Sequence, residues 1–514
     1  MFCAPRLGMG INCHECEKID FYLLTWGLIF IIFKNILWYG EEFFDELGDA
    51  LDVVCDCGCR CLGTTAKYVF YFIGDGMGVN QVYGAETYYA ALEGRIGVKP
   101  LCFTQFPYAA LVTTYSATNG VTDSAASGTA LATGHKTKNG VLGMLADQKT
   151  PVNSIAVWAK QAGAAVGVGT SVSVDHATPA AFYAHQGARG SYYAIGQDLI
   201  KANFDFYAGA DFMQPFDKGN ASGLSLYAQC EKAGYCVARG YKDFLRKAKR
   251  AKKLVLLQTE EASEMERSCL PYAIDRGAKD LSLQEVTRAG ISFLTKQKRD
   301  GFFLMIEGGK IDWACHSNDG ATAFCELKDL DEAVKVAFEF YCQHPDETLI
   351  VVTADHETGG LVLGRGAYKL HTDLFRFQRM STDAYSKHLR VLHKEKGKDF
   401  SWELVVNDLK LNWGFGEGVK ISEGQWKRLR GAFDGMVNGD AQDKKSLYAK
   451  VDALADVARE VMAECALIGW QSGGHSNGFV PVFAIGVGAE DFHGQIDNTD
   501  IPLKMARAAG WVVR

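Results

Sequence analysis

From residue 67 onward the chain alternates two patterns. Runs dominated by apolar and small residues occupy 67–73, 165–174, 254–257, 302–306, 348–353 and 480–486, and the first is closed by Gly74-Asp75-Gly76. Short runs without polar alternation predict strands buried on both faces. Between them, 154–162, 282–296, 321–341 and 450–467 carry helical patterns. Strands alternating with helices predict an α/β fold, a mostly parallel central sheet flanked by helices on both faces. In such a sheet functional residues gather in loops beyond the carboxyl ends of the strands. The mixed, charged and aromatic stretch 361–439 breaks the rhythm and reads as an inserted subdomain. No internal repeat or low-complexity linker separates further domains.

The first 65 residues do not follow this rhythm. Residues 21–33 are almost wholly apolar, and the run reaches Tyr39 across Lys34 and Asn35. Thirteen uncharged residues suit the apolar part of an export signal, and all nineteen barely reach the ~20 that span a bilayer. The preceding segment sets Glu15, Glu17 and Asp20 against Lys18 instead of offering a basic start, and no small-x-small cleavage site follows. Residues 1–65 are therefore expected to be a leader, either export signal or membrane anchor, outside a catalytic unit of 66–514. The alternative is an extension upstream of the true translation start.

Cysteine use leaves the compartment open. Seven of the 15 cysteines fall in the first 61 residues, where Cys55, Cys57, Cys59 and Cys61 alternate in a pattern that fits a soft metal, disulfides or an unstructured leader. In the body, Cys230 and Cys236 are near enough in sequence to pair in an oxidising compartment, whereas Cys102, Cys269, Cys315, Cys325, Cys342 and Cys465 read as buried small apolar residues. The 54 Lys and Arg against 61 Asp and Glu give a net charge of -7, which argues against nucleic acid as a specific partner. An acidic protein that handles an anion must supply positive charge locally, through metal ions or a few arginines.

Four predicted strands carry acidic or histidine residues near one end. Asp75 follows the first; Glu307, Asp312 and His316 follow 302–306; Asp355 and His356 follow 348–353; His475 shortly precedes 480–486. Each alone reads more simply as a cap or a solvated loop residue. Together, mixing carboxylate with imidazole, they suggest a cluster of divalent sites, where Asp/His sets suit zinc and an all-oxygen neighbour suits magnesium.

Five segments in order resemble the signature segments of alkaline phosphatases: 75–78 (Asp-Gly-Met-Gly), 122–134 (Thr-Asp-Ser-Ala-Ala-Ser-Gly-Thr-Ala-Leu-Ala-Thr-Gly), 177–180 (Ala-Thr-Pro-Ala), 307–312 (Glu-Gly-Gly-Lys-Ile-Asp) and 353–360 (Thr-Ala-Asp-His-Glu-Thr-Gly-Gly). The resemblance covers roughly 67–360 and resumes at 473–486. It implies that Ser124 is the nucleophile that becomes phosphorylated, at the start of a small-residue helix whose N-terminal N–H groups favour an anion. It further implies one zinc at Asp75, Asp355 and His356, a second at Asp312, His316 and His475, and a magnesium at Glu307 and Thr178 with Asp75 bridging. Arg189 falls where the family places an arginine that forks two phosphate oxygens, and Asp123 is expected to orient it. The plainer readings are a helix cap for Thr178, which precedes Pro179, and an ordinary surface arginine for Arg189.

Two positions depart from the enteric bacterial pattern of the family. His176 stands where that pattern has Asp, and Trp313 where it has Lys, as in other branches. His176 either binds the third metal directly or acts through water, and the indirect role is the expectation. The resemblance implies broad hydrolysis of small phosphate monoesters, and the apolar run at 21–33 leads to the expectation of an extracytoplasmic enzyme, periplasmic or secreted, with a membrane anchor as a further possibility. The 118 residues between His356 and His475 leave room for 361–439 to shape substrate access or a homodimer interface. Phosphodiesterases, sulfatases and phosphoglycerate mutases share the two-metal core. Glu307 and Thr178 speak against diesterases, the surroundings of Ser124 against sulfatases, and the Thr-Pro-Ala segment with its arginine against mutases. A non-catalytic metal-binding or phosphate-binding protein of the same fold is the rival from another class.

Overall fold

The computed structural model describes residues 65–220, 222–440 and 442–513. The expectations for residues 1–65, including the apolar run and the first seven cysteines, lie outside the described residues apart from Thr65. One sheet contains ten strands: β1 (Tyr68–Gly74), β2 (Tyr108–Thr113), β3 (Ala165–Thr170), β4 (Phe206–Gly209), β5 (Tyr235–Arg239), β6 (Lys253–Leu257), β7 (Phe302–Gly308), β8 (Thr348–Ala354), β9 (Val480–Gly486) and β10 (Gly494–Asp497). Their spatial order is β10, β2, β9, β8, β1, β7, β3, β4, β6, β5. Every pairing is parallel except the two made by β9 with β8 and β2.

Both faces of the central strands are covered. In β1 the Phe70 ring packs edge-on against Phe340 of the helix Gly320–Tyr341, with centroids 5.6 Å apart, while the neighbouring Tyr71 hydroxyl donates to the Leu131 carbonyl of the helix Ser124–Thr133. Successive strand residues point to opposite faces, so these two contacts place helices on the two sides of one strand. Positions in β3, β7 and β8 are buried throughout, which explains their unbroken apolar runs.

The long helices fall close to their predicted spans, at Ile155–Gln161, Leu283–Thr295, Gly320–Tyr341 and Ala453–Ala466. Capping accounts for the starts: Ser154 accepts from the Val157 N–H, and Ser282 with Glu285 forms a reciprocal capping box. The run 165–174 yields a shorter strand than expected. It stops at Thr170, whose hydroxyl accepts from the Val172 N–H and turns the chain. Four strands of this sheet went unpredicted, namely β2, β4, β5 and β10. β2 alternates exposed and buried positions, while β4 and β10 are four residues long.

Residues 361–439 hold three α-helices, Thr382–Lys396, Trp402–Trp413 and Glu423–Asn438, the last tied to Ala453–Ala466 by Arg428 with Glu460 and Glu464. A short antiparallel hairpin follows, Lys444–Lys445 against Lys450–Val451.

The cysteine expectations need correction. Cys230 and Cys236 are free thiols. Cys230 lies in the core beside Tyr235, and Cys236 follows Tyr235 on the strand, so its side chain leaves from the opposite face. Only Cys269 and Cys315 of the six others are fully buried; Cys102, Cys325 and Cys465 are partly exposed and Cys342 is exposed. Among the described residues no helix is long and apolar enough to cross a membrane.

Candidate active site

The four central parallel strands β8, β1, β7 and β3 end side by side, and each delivers part of one cluster. Asp355 and His356 follow β8, Asp75 follows β1, and Glu307 is the penultimate residue of β7. The helix Lys310–His316 then presents Asp312 and His316 one turn apart. Beyond β3 come His176 and Thr178, at the start of the short helix Ala177–Ala180. Because β9 runs antiparallel, its amino end lies at the same sheet edge, and His475 arrives just before it. The segment around His475 pairs with Glu357–Thr358.

Close backbone approach makes this convergence feasible. Gly76 has φ +71°, and a Cβ there would stand 2.9 Å from the Asp312 Cα, so glycine lets the Asp75 turn lie against the second acidic helix. The helix Ser124–Thr133 is buried at all ten positions, and a Cβ on Gly128 would meet the Thr178 Cα at 3.3 Å. Its run of Ala, Ser and Gly is thus a packing requirement that brings Ser124 near the Thr178 turn.

Asp123 caps that helix. Its Oδ1 accepts from the Ala126 and Gly140 N–H groups, and its Oδ2 pairs with Arg189 Nη1 at 3.1 Å. Ser124 is the first helical residue, and its Oγ lies 3.3 Å from His356 Nε2. Asp355 Oδ2 stands 3.3 Å and Asp75 Oδ1 3.5 Å from the same nitrogen. His316 Nε2 lies 3.2 Å from both Asp312 Oδ2 and His475 Nε2. His475 Nε2 is 3.6 Å from Asp312 Oδ1. The donor atoms of Asp75, Asp355 and His356 lie within 4.8 Å of one another, as do those of Asp312, His356 and His475 and those of Asp75, His176 and Glu307.

The donor set fits bound cations. Asp75, Glu307, Asp312 and Asp355 are all 0% exposed. Both Asp75 oxygens, Asp355 Oδ2, Glu307 Oε1, the Thr178 hydroxyl and His176 Nδ1 are buried without a hydrogen-bond partner. Buried carboxylates left unpaired beside one another are strongly destabilising unless a positive charge joins them. Burial first, and then the neighbouring carboxylates, push Asp75 and Asp355 well above the usual carboxylate range. Burial pushes Glu307 up to about 7 although the Thr170 hydroxyl donates to it. Burial works the same way on Asp312, but His316, His475 and His356 together outweigh it and hold this carboxyl low. Burial keeps His356 neutral and lowers His176 to about 3.

These directions set a sign. Carboxyls that titrate higher folded than unfolded contribute stability below their unfolded value, 4.5 for Glu307, and lose it as pH rises through about 7. The unfolding midpoint of protein stripped of divalent cations is therefore expected to rise from about pH 8 to about pH 6.5, above the range where protonation of the unfolded histidines opposes it. With cations bound, protons compete for the ligands and the midpoint is expected to fall over the same interval. Scanning calorimetry reads both, and a flat profile for stripped protein would contradict the first.

Some residues of the site carried no assigned role in the sequence. Thr358, inside the fifth signature segment, donates to Asp312 Oδ1 and lies 3.2 Å from His356 Nδ1, so it spaces the two candidate ligand groups. Ser127 donates to the Asp355 carbonyl and receives the Asn498 amide. Tyr448 lies at the tip of the hairpin beyond residue 439. Its ring stacks on Trp313 with centroids 4.2 Å apart, and its hydroxyl lies 3.5 Å from Arg189 Nη2.

The alkaline phosphatase family profile matches residues 66–511. Alkaline phosphatase 3 of Bacillus subtilis (strain 168) is 30% identical over 455 residues, covering 87% of this chain and 90% of that protein. The crystal structure of the cold-active alkaline phosphatase of Shewanella sp. aligns with TM-score 0.71 at 29% identity, over 86% of this chain and 99% of that one. That of Thermus thermophilus aligns with TM-score 0.71 at 29% identity, over 88% and 93%. With a ten-stranded, mostly parallel sheet and a family match across nearly all of its described length, this chain belongs to the alkaline phosphatases, enzymes of the phosphomonoester hydrolase type.

Proposed function

We propose that the protein hydrolyses phosphate monoesters to alcohol and inorganic phosphate through a phosphoserine at Ser124. The observation that carries this reading is the position of the Ser124 hydroxyl, at a buried helix start and 3.3 Å from His356, among carboxylates with buried oxygens that lack hydrogen-bond partners. Two zinc ions, one held by Asp75, Asp355 and His356 and the other by Asp312, His316 and His475, with a magnesium ion at Glu307, Thr178 and Asp75, would supply Lewis-acid activation of the serine and of the departing alcohol. His176 has a buried Nδ1 without a partner and a ring nitrogen within 4.8 Å of Asp75 and Glu307 oxygens, which favours direct ligation at the third site over the water-mediated role.

Ser124 Oγ gives up its proton and attacks phosphorus as the bond to the alcohol oxygen breaks in line behind it. Arg189 forks two phosphate oxygens, held in aim by Asp123 from the helix cap. The N–H groups at the start of Ser124–Thr133 favour the same anion. Water then cleaves the phosphoserine, releasing phosphate and restoring Ser124.

We further read residues 66–514 as the catalytic domain, 361–439 as a subdomain that shapes access or a homodimer contact, and the enzyme as extracytoplasmic. The apolar run at 21–33 supports the last point. Phosphate release from phenyl phosphate set against cleavage of diphenyl phosphate tests the function. The third ligand group at Glu307 predicts a preference of at least about 10³-fold for the monoester in kcat/KM. A comparable rate on the diester would overturn the reading.

A further inference from the structure

The hairpin beyond the inserted helices is tied down on both sides. Lys444 pairs with Asp456 at 3.2 Å, Lys450 and Arg390 both pair with Asp443, and the Asp452 N–H donates to the Ser386 hydroxyl. Its turn is closed by Ser446, whose N–H donates to the Ala449 carbonyl and whose hydroxyl accepts from the Ala449 N–H. Two residues lie between them. Leu447 is 63% exposed, whereas Tyr448 turns inward and is half-buried.

Three residues of the site fix the Tyr448 ring. It stacks on Trp313 at an interplanar angle of 8° and meets the His176 and His316 rings edge-on, with centroids 6.0 Å and 5.4 Å away. His176 belongs to the candidate ligand group of Asp75 and Glu307, and His316 faces Asp312 in the other half of the cluster. The ring therefore bridges both halves, on the side where Arg189 lies.

The hydroxyl extends this placement to the arginine. Arg189 Nη1 is taken by Asp123, while Nη2 faces His176 Nε2 at 3.4 Å and the Tyr448 oxygen at 3.5 Å. A phenol both accepts and donates. Here the oxygen accepts from the guanidinium, and among the described residues its own proton meets no acceptor. An O–H donor on a ring held in one orientation, beside the arginine of the phosphate site, is suited to an anion's oxygen.

We propose that Tyr448 is a further phosphate-binding residue, whose hydroxyl donates to an oxygen of the phosphate that Arg189 forks. Its ring, stacked on Trp313, holds that donor in place. The proposal rests on the phosphomonoesterase reading and deepens it, since a group from outside the five signature segments then completes the anion site.

Calorimetric binding of inorganic phosphate to the protein loaded with zinc and magnesium tests the contact without turnover. Tyr448→Phe keeps the ring and its stack, so metal content and unfolding midpoint are expected to stay, while the dissociation constant rises about 10-fold, the effect of losing one hydrogen bond to a charged group. For phenyl phosphate kcat/KM is expected to fall by a similar factor. Leu447→Ala, on the exposed side of the same turn, is expected to change neither. An unchanged dissociation constant in Tyr448→Phe, an equal weakening in Leu447→Ala, or a loss of metal together with phosphate binding overturns the proposal. If phenyl phosphate is not hydrolysed while the wild type binds phosphate and Tyr448→Phe weakens it, the phosphomonoesterase reading fails and the contact stands. No phosphate binding by the loaded wild type overturns both.

Discussion

Stripping divalent cations with a chelator is expected to abolish phosphate release from phenyl phosphate and to lower the unfolding midpoint at about pH 8. Four carboxylates with no solvent exposure share one cluster, and several of their oxygens have no hydrogen-bond partner. Arg189 offsets only part of this charge at Asp75, where the neighbouring carboxylates outrank it. Without cations the cluster must take up protons or repel itself, and both outcomes disturb the ends of the central strands β8, β1 and β7. Each site filled at about a thousand times its Kd contributes roughly 4 kcal/mol, or about 4 °C in midpoint for a fold of this length. Readdition of zinc with magnesium should restore both readouts together. Full activity in rigorously metal-free protein would contradict the assignment of the cluster.

Replacing Ser124 by Ala is expected to lower kcat by at least about 10³-fold while leaving metal content and midpoint nearly unchanged. The size follows from its place. Ser124 stands at the helix start facing His356, and the pairing of Asp123 with Arg189 would still present phosphate to that point. The surrounding helix packs through its alanines and glycine, so removing one hydroxyl leaves those contacts in place. A parallel loss of metal or of several degrees in midpoint would instead mark Ser124 as structural.

Much of the fold was legible because the central strands are buried on both faces. Burial writes itself as unbroken apolar runs, and β1, β7, β8 and β9 were all read that way. β2 escaped because Tyr108 and Leu111 are exposed beside buried Ala110 and Val112, and β10 because Gln495 and Asp497 give it no apolar run. The candidate ligand residues stood out because acidic and histidine side chains following buried strands are costly unless they have a task. Their grouping required the sheet order. β8, β1, β7 and β3 are neighbours in space but are drawn from across residues 68–354 and out of chain order.

Tyr448 illustrates what stayed hidden. Nothing near it in sequence marks it, and its contact with Trp313 and Arg189 exists only because a hairpin after the inserted helices folds back over the site. Lys310 was likewise visible only as a member of the fourth signature segment. Its contacts with the Cys269 thiol and the Tyr272 ring exist only in the packed structure, which periodicity does not report.

The most direct measurement is acid quench of the metal-loaded enzyme during turnover of radiolabelled phenyl phosphate, followed by peptide mapping. The account predicts acid-stable phosphate on the peptide containing Ser124, and none in Ser124→Ala. Label on another residue, or turnover undiminished in Ser124→Ala with no trapped phosphate, would contradict it.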